Sequence, residues 1–396
     1  MAAGAAGDEP YGYLFVHFRE DPNGYAEKVY FDLSEGDDPL RWRPLNGGEA
    51  VLASDQGTKG VRDTYVVRNP HTGVIYILAT DLRVYPCEGE PDWLGMHINT
   101  STYINVWESR DLVHWSDMRR IDVSVGAEDK RFGIAWAPEA LWVDDFEGTG
   151  EGRFVFYWAA TFGASGEDVT AYDRATMYPR MVWGTTTDFT QESYRFGGVM
   201  IDDGAETIDT TMFQRELPDG SLRTYRLTKQ NGSGKGNGIF EERIDRADWW
   251  NAPQSEWTFM RHHIGDGFAH GLGNPDPGCA EGPEVLRDNH SGRHYLFVDV
   301  LGVADTGYRA MIADDVDEGV ASAEDAVSGV ADQTQARLSG AAEHVDEICR
   351  LGGWRPVPDA ECHLGALAKH GGFLNLTRAE YDRLAAADRD GTLPRA

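Results

Sequence analysis

Cysteine is scarce in this sequence, with four among 396 residues. None of the four stands in a Cys-x-x-Cys spacing. Zinc ribbons and disulfide-stapled scaffolds depend on closely spaced cysteines. The sequence therefore disfavours both classes of protein.

Basic side chains are also few, since 36 Lys and Arg stand against 66 Asp and Glu and give a formal net charge of −30. Nucleic-acid binding depends on lysine and arginine that neutralise backbone phosphates, so nucleic acid is not expected as a partner. A neutral ligand such as a sugar is indifferent to this charge. Solubility is the other interpretation of the acidity.

Long apolar runs are missing, and no segment reaches the length that a membrane span needs. Residues 1–8 contain neither a basic region nor an apolar stretch of the kind found in secretory signals. We expect a cytoplasmic protein with no membrane partner, with secretion left open if a leader has been removed. The oligomeric state is left open too.

The sequence repeats a unit that consists of an acidic residue, a short strand, a polar turn and a second strand. Asp63, Glu139, Asp209 and Glu281 stand near the start of four such units, spaced by roughly 70 residues. About four short strands per unit, joined by turns rich in Gly, Asp and Asn, are typical of propeller blades. The pattern predicts an all-β fold.

The two chain ends supply a fifth unit. Apolar segments at 11–18 and 28–34 and another at 370–376 read as strands without partners in the four repeats. Their pairing would close a single five-bladed propeller over residues 11–386, and closure removes exposed strand edges. The Ala-, Asp- and Glu-rich stretch at about 320–362 is expected to be a helical or mobile insertion before the last blade, with a substrate lid as the alternative.

Propeller strands that start at the centre direct their first residues toward the axis. We therefore expect Asp63, Glu139, Asp209, Glu281 and His370 to lie close together. Clustered carboxyls cannot all ionise normally, so some pKa values rise while others are held down. Glycoside hydrolysis needs such a division into one acid and one base.

The motifs that carry these acids resemble glycoside hydrolase family 43. They are Val-Arg-Asp-Thr-Tyr at 61–65, Trp-Ala-Pro-Glu at 136–139, Ile-Asp-Thr-Thr-Met-Phe at 208–213, Ala-Glu-Gly-Pro-Glu at 280–284 and Lys-His-Gly at 369–371. The resemblance implies a five-bladed propeller and an inverting exo-glycosidase, above all an α-L-arabinofuranosidase acting on plant-type polymers in hemicellulose degradation. A β-xylosidase or β-galactofuranosidase is the alternative within the family.

The same resemblance implies roles for individual residues. Asp63 matches the general base, Asp209 the acid that tunes its partner, and Glu281 the general acid. His370 matches a histidine that helps hold a central ion or water, so calcium or another cation is possible although no cofactor is required. Substrate-binding candidates, with carbohydrate as the expected partner, are Arg62, Trp93, Trp136, Glu139 and Arg309.

Each of these residues also has a structural interpretation. Asp63 could form a plain ion pair with Arg62, Asp209 could cap a turn, and His370 or any single Trp could belong to the core. Glu284 competes with Glu281 for the acid role. The sequence also departs from the family, which usually has proline after both aspartates where this chain has threonine.

Three alternative functions stay open. Fructan-cleaving propellers carry segments similar to Asp-Pro-Asn-Gly at 21–24, Arg-Asp-Thr at 62–64 and Glu-Cys at 361–362, but the first two lie too close together for separate blades. A non-catalytic carbohydrate-binding propeller would not need an acid and a base, and a purely structural propeller explains the carboxylates least well.

Overall fold

The computed structural model describes residues 9–163, 177–231, 238–266, 279–301, 307–317, 353–362, 364–365 and 367–396. Within these residues the chain is all-β, as expected, with twenty strands and two short α-helices. No helix in the described part is long and apolar enough to cross a membrane.

The strands form five units of four, each antiparallel within itself. Units one to four each use four consecutive strands of the chain. Unit one is β4 (Arg62–Arg68), β5 (Ile75–Thr80), β6 (Tyr103–Ser109) and β7 (Arg119–Asp122). Unit two is β8 (Trp136–Val143), β9 (Arg153–Gly163), β10 (Met177–Thr186) and β11 (Arg195–Ile201). Unit three is β12 (Glu206–Glu216), β13 (Leu222–Asn231), β14 (Gly238–Ile244) and β15 (Thr258–Ile264). Unit four is β16 (Ala280–Arg287), β17 (His294–Val300), β18 (Arg309–Ala313) and β19 (Arg355–Pro356).

Unit five combines both ends of the chain. Its strands are β20 (Ala368–Thr377), β1 (Pro10–Arg19), β2 (Tyr30–Glu35) and β3 (Asp38–Pro44). β1 pairs antiparallel with β20, so the expected pairing of N-terminal strands with a C-terminal strand is present. A parallel bridge between Gly371 and Thr64 joins this unit to unit one in an eight-stranded sheet.

The first strands of the units, β4, β8, β12, β16 and β20, contact one another in sequence, and β20 contacts β4. Five apolar clusters fill the spaces between neighbouring units, one for each pair, including the pair formed by units five and one. Strands between two such clusters are apolar on both faces, which explains why β9 reads as an almost continuous apolar run rather than an alternation.

The two helices are peripheral. α1 (Trp93–Ile98) follows β5 and is capped by the side chain of Asp92. α2 (Arg378–Asp390) follows β20 directly, and Thr377 and Glu380 form a capping box at its start. Of the insertion expected at about 320–362, residues 318–352 lie outside the described residues, and the remainder contains the short strand β19 paired with β18.

Candidate active site

A repeated backbone feature shapes the start of four first strands. Asp63, Ala137, Asp209 and Gly282 have φ values of 47°, 48°, 41° and 55°, in the left-handed region. At each of these points the pairing with the second strand shifts register, as in a β-bulge. Bulges redirect side chains and are common beside active sites. Asp63 and Asp209 therefore occupy equivalent positions of their units, and Glu281 lies one residue earlier.

Glu139 does not share that position, so the expectation that it stands in phase with Asp63 and Asp209 is wrong. Ala137 is the equivalent residue of unit two, and Glu139 lies two residues farther along β8. Its equivalent in unit four is Glu284, two residues beyond Gly282. The sequence spacing could not show this, because a difference of two residues is small against a repeat of roughly 70 residues.

Asp63 is held by hydrogen bonding and by positive charge. Its Oδ2 accepts a hydrogen bond from Thr80 Oγ1 at 2.8 Å, and its Oδ1 lies 3.6 Å from His370 Nδ1. Burial acts to raise the pKa of the Asp63 carboxyl, but His370, the Arg62 guanidinium and Thr80 together lower the pKa below its ordinary value. Asp63 is therefore a carboxylate over a wide pH range, as a general base must be.

Asp209 has the opposite protonation behaviour. Its side chain is buried and its Oδ2 accepts a hydrogen bond from the Gly282 amide at 3.1 Å. Burial raises the pKa of Asp209 to about 7, the negative charges of Glu281 and Asp63 act in the same direction, and the charge of His370 opposes them. Two aspartates at equivalent positions thus differ in their proton occupancy at neutral pH.

Gly282 lies between Asp209, which accepts a hydrogen bond from its amide, and the ring of His370. Its φ is positive, and a Cβ placed there would lie 2.9 Å from Cγ of His370. A side chain at this position would therefore clash with the imidazole as well as strain the backbone. This explains why glycine follows Glu281 directly.

Glu281 is partly exposed at the start of β16, beside this glycine. Across the strand pair it stands opposite Asp299 of β17. Asp299 is buried, and its Oδ2 accepts a hydrogen bond from the His370 amide at 3.1 Å. Burial raises the pKa of Asp299 to about 6, with Lys369 opposing this shift and the charge of Glu281 adding to it.

His370 lies among these carboxyls. Burial disfavours a charged imidazole, but the interaction with Asp63 and the negative charges of Asp209, Asp63 and Asp299 outweigh it and raise the pKa of His370 to about 9. The imidazole is therefore protonated at neutral pH and provides positive charge beside Asp63.

The cation that the resemblance implies at His370 finds no matching set of ligands in the described residues. Among them, no group of three or more His, Cys, Asp or Glu side chains is placed to hold a metal ion. Binding of a metal ion by His370 would displace the proton that its raised pKa favours. The central cation stays a prediction, and no chemical step is derived through it.

Glu139 and Glu284 form a second, buried carboxyl pair. Tyr157 donates to Glu139 Oε2 at 3.2 Å, and Thr211 donates to Glu284 Oε2 at 3.3 Å. Burial and the neighbouring charge of Glu284 raise the pKa of Glu139 well above its ordinary value, and burial raises the pKa of Glu284 to about 7. The charge of each buried carboxyl disfavours ionisation of its neighbour, so a proton on one of them relieves their repulsion.

Arg62, a substrate-binding candidate, is already engaged by protein carboxylates. Its Nη2 lies 2.6 Å from Glu20 and its Nη1 lies 2.7 Å from Glu27. The guanidinium also packs 5.8 Å from the ring of Trp93. Arg62 therefore acts on Asp63 through its charge, and two glutamates fix its orientation.

Trp93 and Trp136, two further substrate-binding candidates, differ in their exposure to solvent. Trp93, on α1, is 40% exposed, whereas Trp136 is 8% exposed and packs against His97 of α1 with ring centroids 4.7 Å apart. His97 also approaches Glu206 at the start of β12, with 3.4 Å between Nε2 and Oε1. α1 therefore borders the ends of β4, β8 and β12 that carry the site.

Arg309 lies on β18 opposite Val298 of β17, and its ion-pair partner in the described residues is not one of the three predicted catalytic carboxyls. Its Nη1 lies 3.6 Å from Asp359 Oδ2, beyond β18. No described hydrogen bond or ion pair joins Arg309 to Asp63, Asp209 or Glu281.

Sequence reasoning missed two residues that support the site, Thr80 and Asp299. Both are polar residues in strands whose residues are all buried, β5 and β17. A polar residue in such a strand is a usable signal, because burial without a partner is costly. The partner itself could not be named, since it depends on the register around the bulges.

Comparison with known proteins gives the following relationships. Residues 9–382 match a family described as a probable glycosyl hydrolase domain, related to glycoside hydrolase family 43. An α-L-arabinofuranosidase of Bifidobacterium longum subsp. longum is 29% identical over 256 residues. That match covers 62% of this chain and 22% of the relative, so this chain spans about a fifth of that protein.

Two solved structures are more distant. An α-L-arabinofuranosidase from Lactobacillus brevis is 16% identical with a TM-score of 0.41, covering 63% of this chain and 67% of that one. The arabinanase Arb43A of Bacillus subtilis is 14% identical with a TM-score of 0.40, covering 68% of this chain and 77% of that one. At these low values neither likeness establishes function, and the family assignment depends on the sequence match.

Proposed function

The chain belongs to the family of probable glycosyl hydrolase domains related to glycoside hydrolase family 43, and on that premise we propose that it is an inverting exo-acting α-L-arabinofuranosidase. The observation that carries the proposal is the division of protonation within one cluster. The pKa of Asp63 is lowered while the pKa of Asp209 is raised to about 7. Acid–base hydrolysis needs an ionised carboxylate as base, which Asp63 provides, and a carboxylic acid as proton donor, the role that we propose for Glu281 with Asp209 as its tuning partner.

The architecture we propose is a five-bladed propeller whose units are the blades. Support comes from the cyclic contacts of the five first strands and from the apolar clusters between neighbouring units. In this arrangement the bulged starts of the first strands surround one axis. Asp63, Asp209, Glu281 and His370 would then enclose one sugar-sized space.

In the proposed mechanism the Asp63 carboxylate removes a proton from a water molecule that attacks the anomeric carbon. Glu281 donates a proton to the departing glycosidic oxygen. Protonated His370 keeps Asp63 ionised before attack, and its charge offsets that of the surrounding carboxyls. Water then enters on the face opposite the leaving group, which inverts the configuration.

The arabinofuranoside is the proposed substrate because of the curated relative that shares 256 aligned residues. We propose the exposed ring of Trp93 as a stacking surface for the sugar at the rim of the site, since it lies beside Arg62, the neighbour of the proposed base. Contacts of Arg62, Trp136, Glu139 and Arg309 with the sugar stay predictions.

The test is a screen of 4-nitrophenyl glycosides with α-L-arabinofuranoside, β-D-xyloside and β-D-galactofuranoside, with the anomer of the product followed by NMR. We expect preferential release from the arabinofuranoside and an inverted first product. Preference for another sugar would change the substrate, retention would change the mechanism, and binding without turnover would favour a non-catalytic carbohydrate-binding protein.

A further inference from the structure

A cavity of about 720 Å³ lies away from the proposed catalytic carboxyls, between units two and three. Its walls come from the end of β8 and the following turn, from β12 and its turn, and from the segment after β14. Pockets that bind small organic ligands span roughly 300–1,000 Å³, so the volume suits such a ligand.

The cavity is at the opposite end of the strands from the proposed catalytic site. Ala137 at the start of β8 donates its amide to Thr80, which contacts Asp63, whereas Trp142 near the end of β8 lines the cavity. Five residues of strand separate Ala137 from Trp142, or roughly 17 Å. On β12 the same spacing separates Asp209 from Gln214, another lining residue.

Aromatic and polar groups line the cavity together. Trp142 contributes a partly exposed indole ring, and Trp249 and Trp250 line the cavity with largely buried indoles. Trp142 Nε1 donates to Asp144 Oδ1 at 2.7 Å, and Gln214 Nε2 donates to Thr224 Oγ1 at 3.0 Å. These bonds fix the side chains before a ligand arrives, which reduces the entropy lost on binding.

The charges of the lining disfavour an anion, and ion pairs to several of its acids reduce its attraction for a cation. Five lining residues are acidic and one is basic, namely Asp144, Asp145, Glu147, Asp245, Asp248 and Arg246. Three of the acids are already paired, Asp144 with His71, Asp245 with Arg223 and Asp248 with Arg246. A neutral ligand with many hydroxyl groups can donate to these carboxylates without breaking the ion pairs.

From these observations we propose that the cavity is a second binding site for a neutral oligosaccharide segment, separate from the catalytic carboxyls. Its partly exposed Trp142 ring contacts the apolar face of a sugar, and its fixed carboxylates and amide accept hydrogen bonds from the hydroxyls. The choice of a saccharide rests on the proposed function. A polymer held here raises the local concentration of its own side chains at the catalytic end.

Affinity gel electrophoresis of the whole chain in soluble arabinoxylan and in debranched arabinan tests the proposal. We expect retardation of the wild type, and roughly tenfold weaker binding for Trp142→Ala, as for the loss of one aromatic contact. Gln214→Ala, which leaves the packing of Trp142 on Phe154 intact, should weaken binding as well. Tyr103→Ala, an exposed aromatic outside the cavity, is the control and should bind as the wild type does.

Hydrolysis of 4-nitrophenyl α-L-arabinofuranoside should be unchanged in all three variants, since that substrate is too small to bridge the two sites. The proposal would be overturned if Trp142→Ala and Gln214→Ala were both retarded as strongly as the wild type. It would also be overturned if the polysaccharides did not retard the wild type. Binding of oligolysine in place of polysaccharide would overturn the saccharide assignment. Failure of the proposed function would be distinguishable, because the wild type would then bind polysaccharide but would not cleave the nitrophenyl substrate.

Discussion

Thr80 links the proposed base to the neighbouring unit, and its replacement gives a quantitative test of the site. Its hydroxyl donates to Asp63 at 2.8 Å and accepts from the Ala137 amide at 2.8 Å, and the residue is fully buried. Thr80→Val keeps the shape and removes both bonds. We expect the pKa of Asp63 to rise and the fold to lose stability.

The magnitude follows from the two bonds. A hydrogen bond to a charged group contributes about 1.5–3 kcal/mol, and one pKa unit corresponds to about 1.4 kcal/mol. The complete loss would raise the pKa of Asp63 by about one to two units, and the lower value is expected because His370 and Arg62 remain in place. The unpaired Ala137 amide should cost about 1–3 kcal/mol of unfolding free energy.

The assay is the pH dependence of kcat/KM for 4-nitrophenyl α-L-arabinofuranoside, together with urea unfolding. The acidic limb should move upward by about one pH unit in Thr80→Val and return in Thr80→Ser. Thr228→Val is the matched control, because Thr228 is equally buried but its hydroxyl bonds Thr210 at 3.0 Å. It should lose stability without moving the limb. If the acidic limb of Thr80→Val coincided with that of the wild type, as is expected for Thr228→Val, the proposed role of Thr80 would be refuted.

Three further outcomes are expected. Glu281→Gln should abolish turnover of arabinosides with poor leaving groups while circular dichroism stays native, and undiminished turnover would remove Glu281 as the acid. Trp93→Ala should raise KM for arabino-oligosaccharides roughly tenfold, whereas Leu94→Ala, 53% exposed on the same helix, should not; equal effects would contradict the stacking role. The raised pKa values of His370, 6.5 to about 9, and Asp209, 3.8 to about 7, mean that their contributions to stability are present at low pH and lost as pH rises through those ranges. Urea unfolding at pH 6 and pH 9 should show lower stability at pH 9, with a smaller difference in His370→Asn; higher stability at pH 9 would contradict the assigned shifts.

Much of the fold was readable from local patterns. Apolar runs bounded by polar turns indicated the strands, and the unpaired apolar segments at both ends predicted that β1 and β20 pair. The sequence predicts that Asp63 and Asp209 lie close together because each stands near the start of the same kind of strand. The electrostatic influence of each on the other and on His370 agrees with that placement.

The finer arrangement was not readable, because it depends on single-residue shifts. The bulge at Ala137 moves Glu139 out of phase with Asp63. Thr80 and Asp299 reach the site only through register with β4 and β16, which no local pattern specifies. Both threonines that stand where the family usually has proline form side-chain hydrogen bonds. Thr64 Oγ1 donates to the carbonyl of Val16 at 3.0 Å, and Thr210 Oγ1 donates to Thr228 Oγ1 at 3.0 Å.

The pairing of β1 with β20 also bears on how this chain folds during synthesis. β1 leaves the ribosome long before β20, and until then its inner edge has no partner strand. Such an edge invites pairing with other chains, and contacts so distant in sequence form slowly. β20 also carries His370, so the last unit to assemble completes both the ring of contacts and the charge beside Asp63. A nascent chain stalled before residue 368 would therefore combine an aggregation-prone edge with an incomplete catalytic centre.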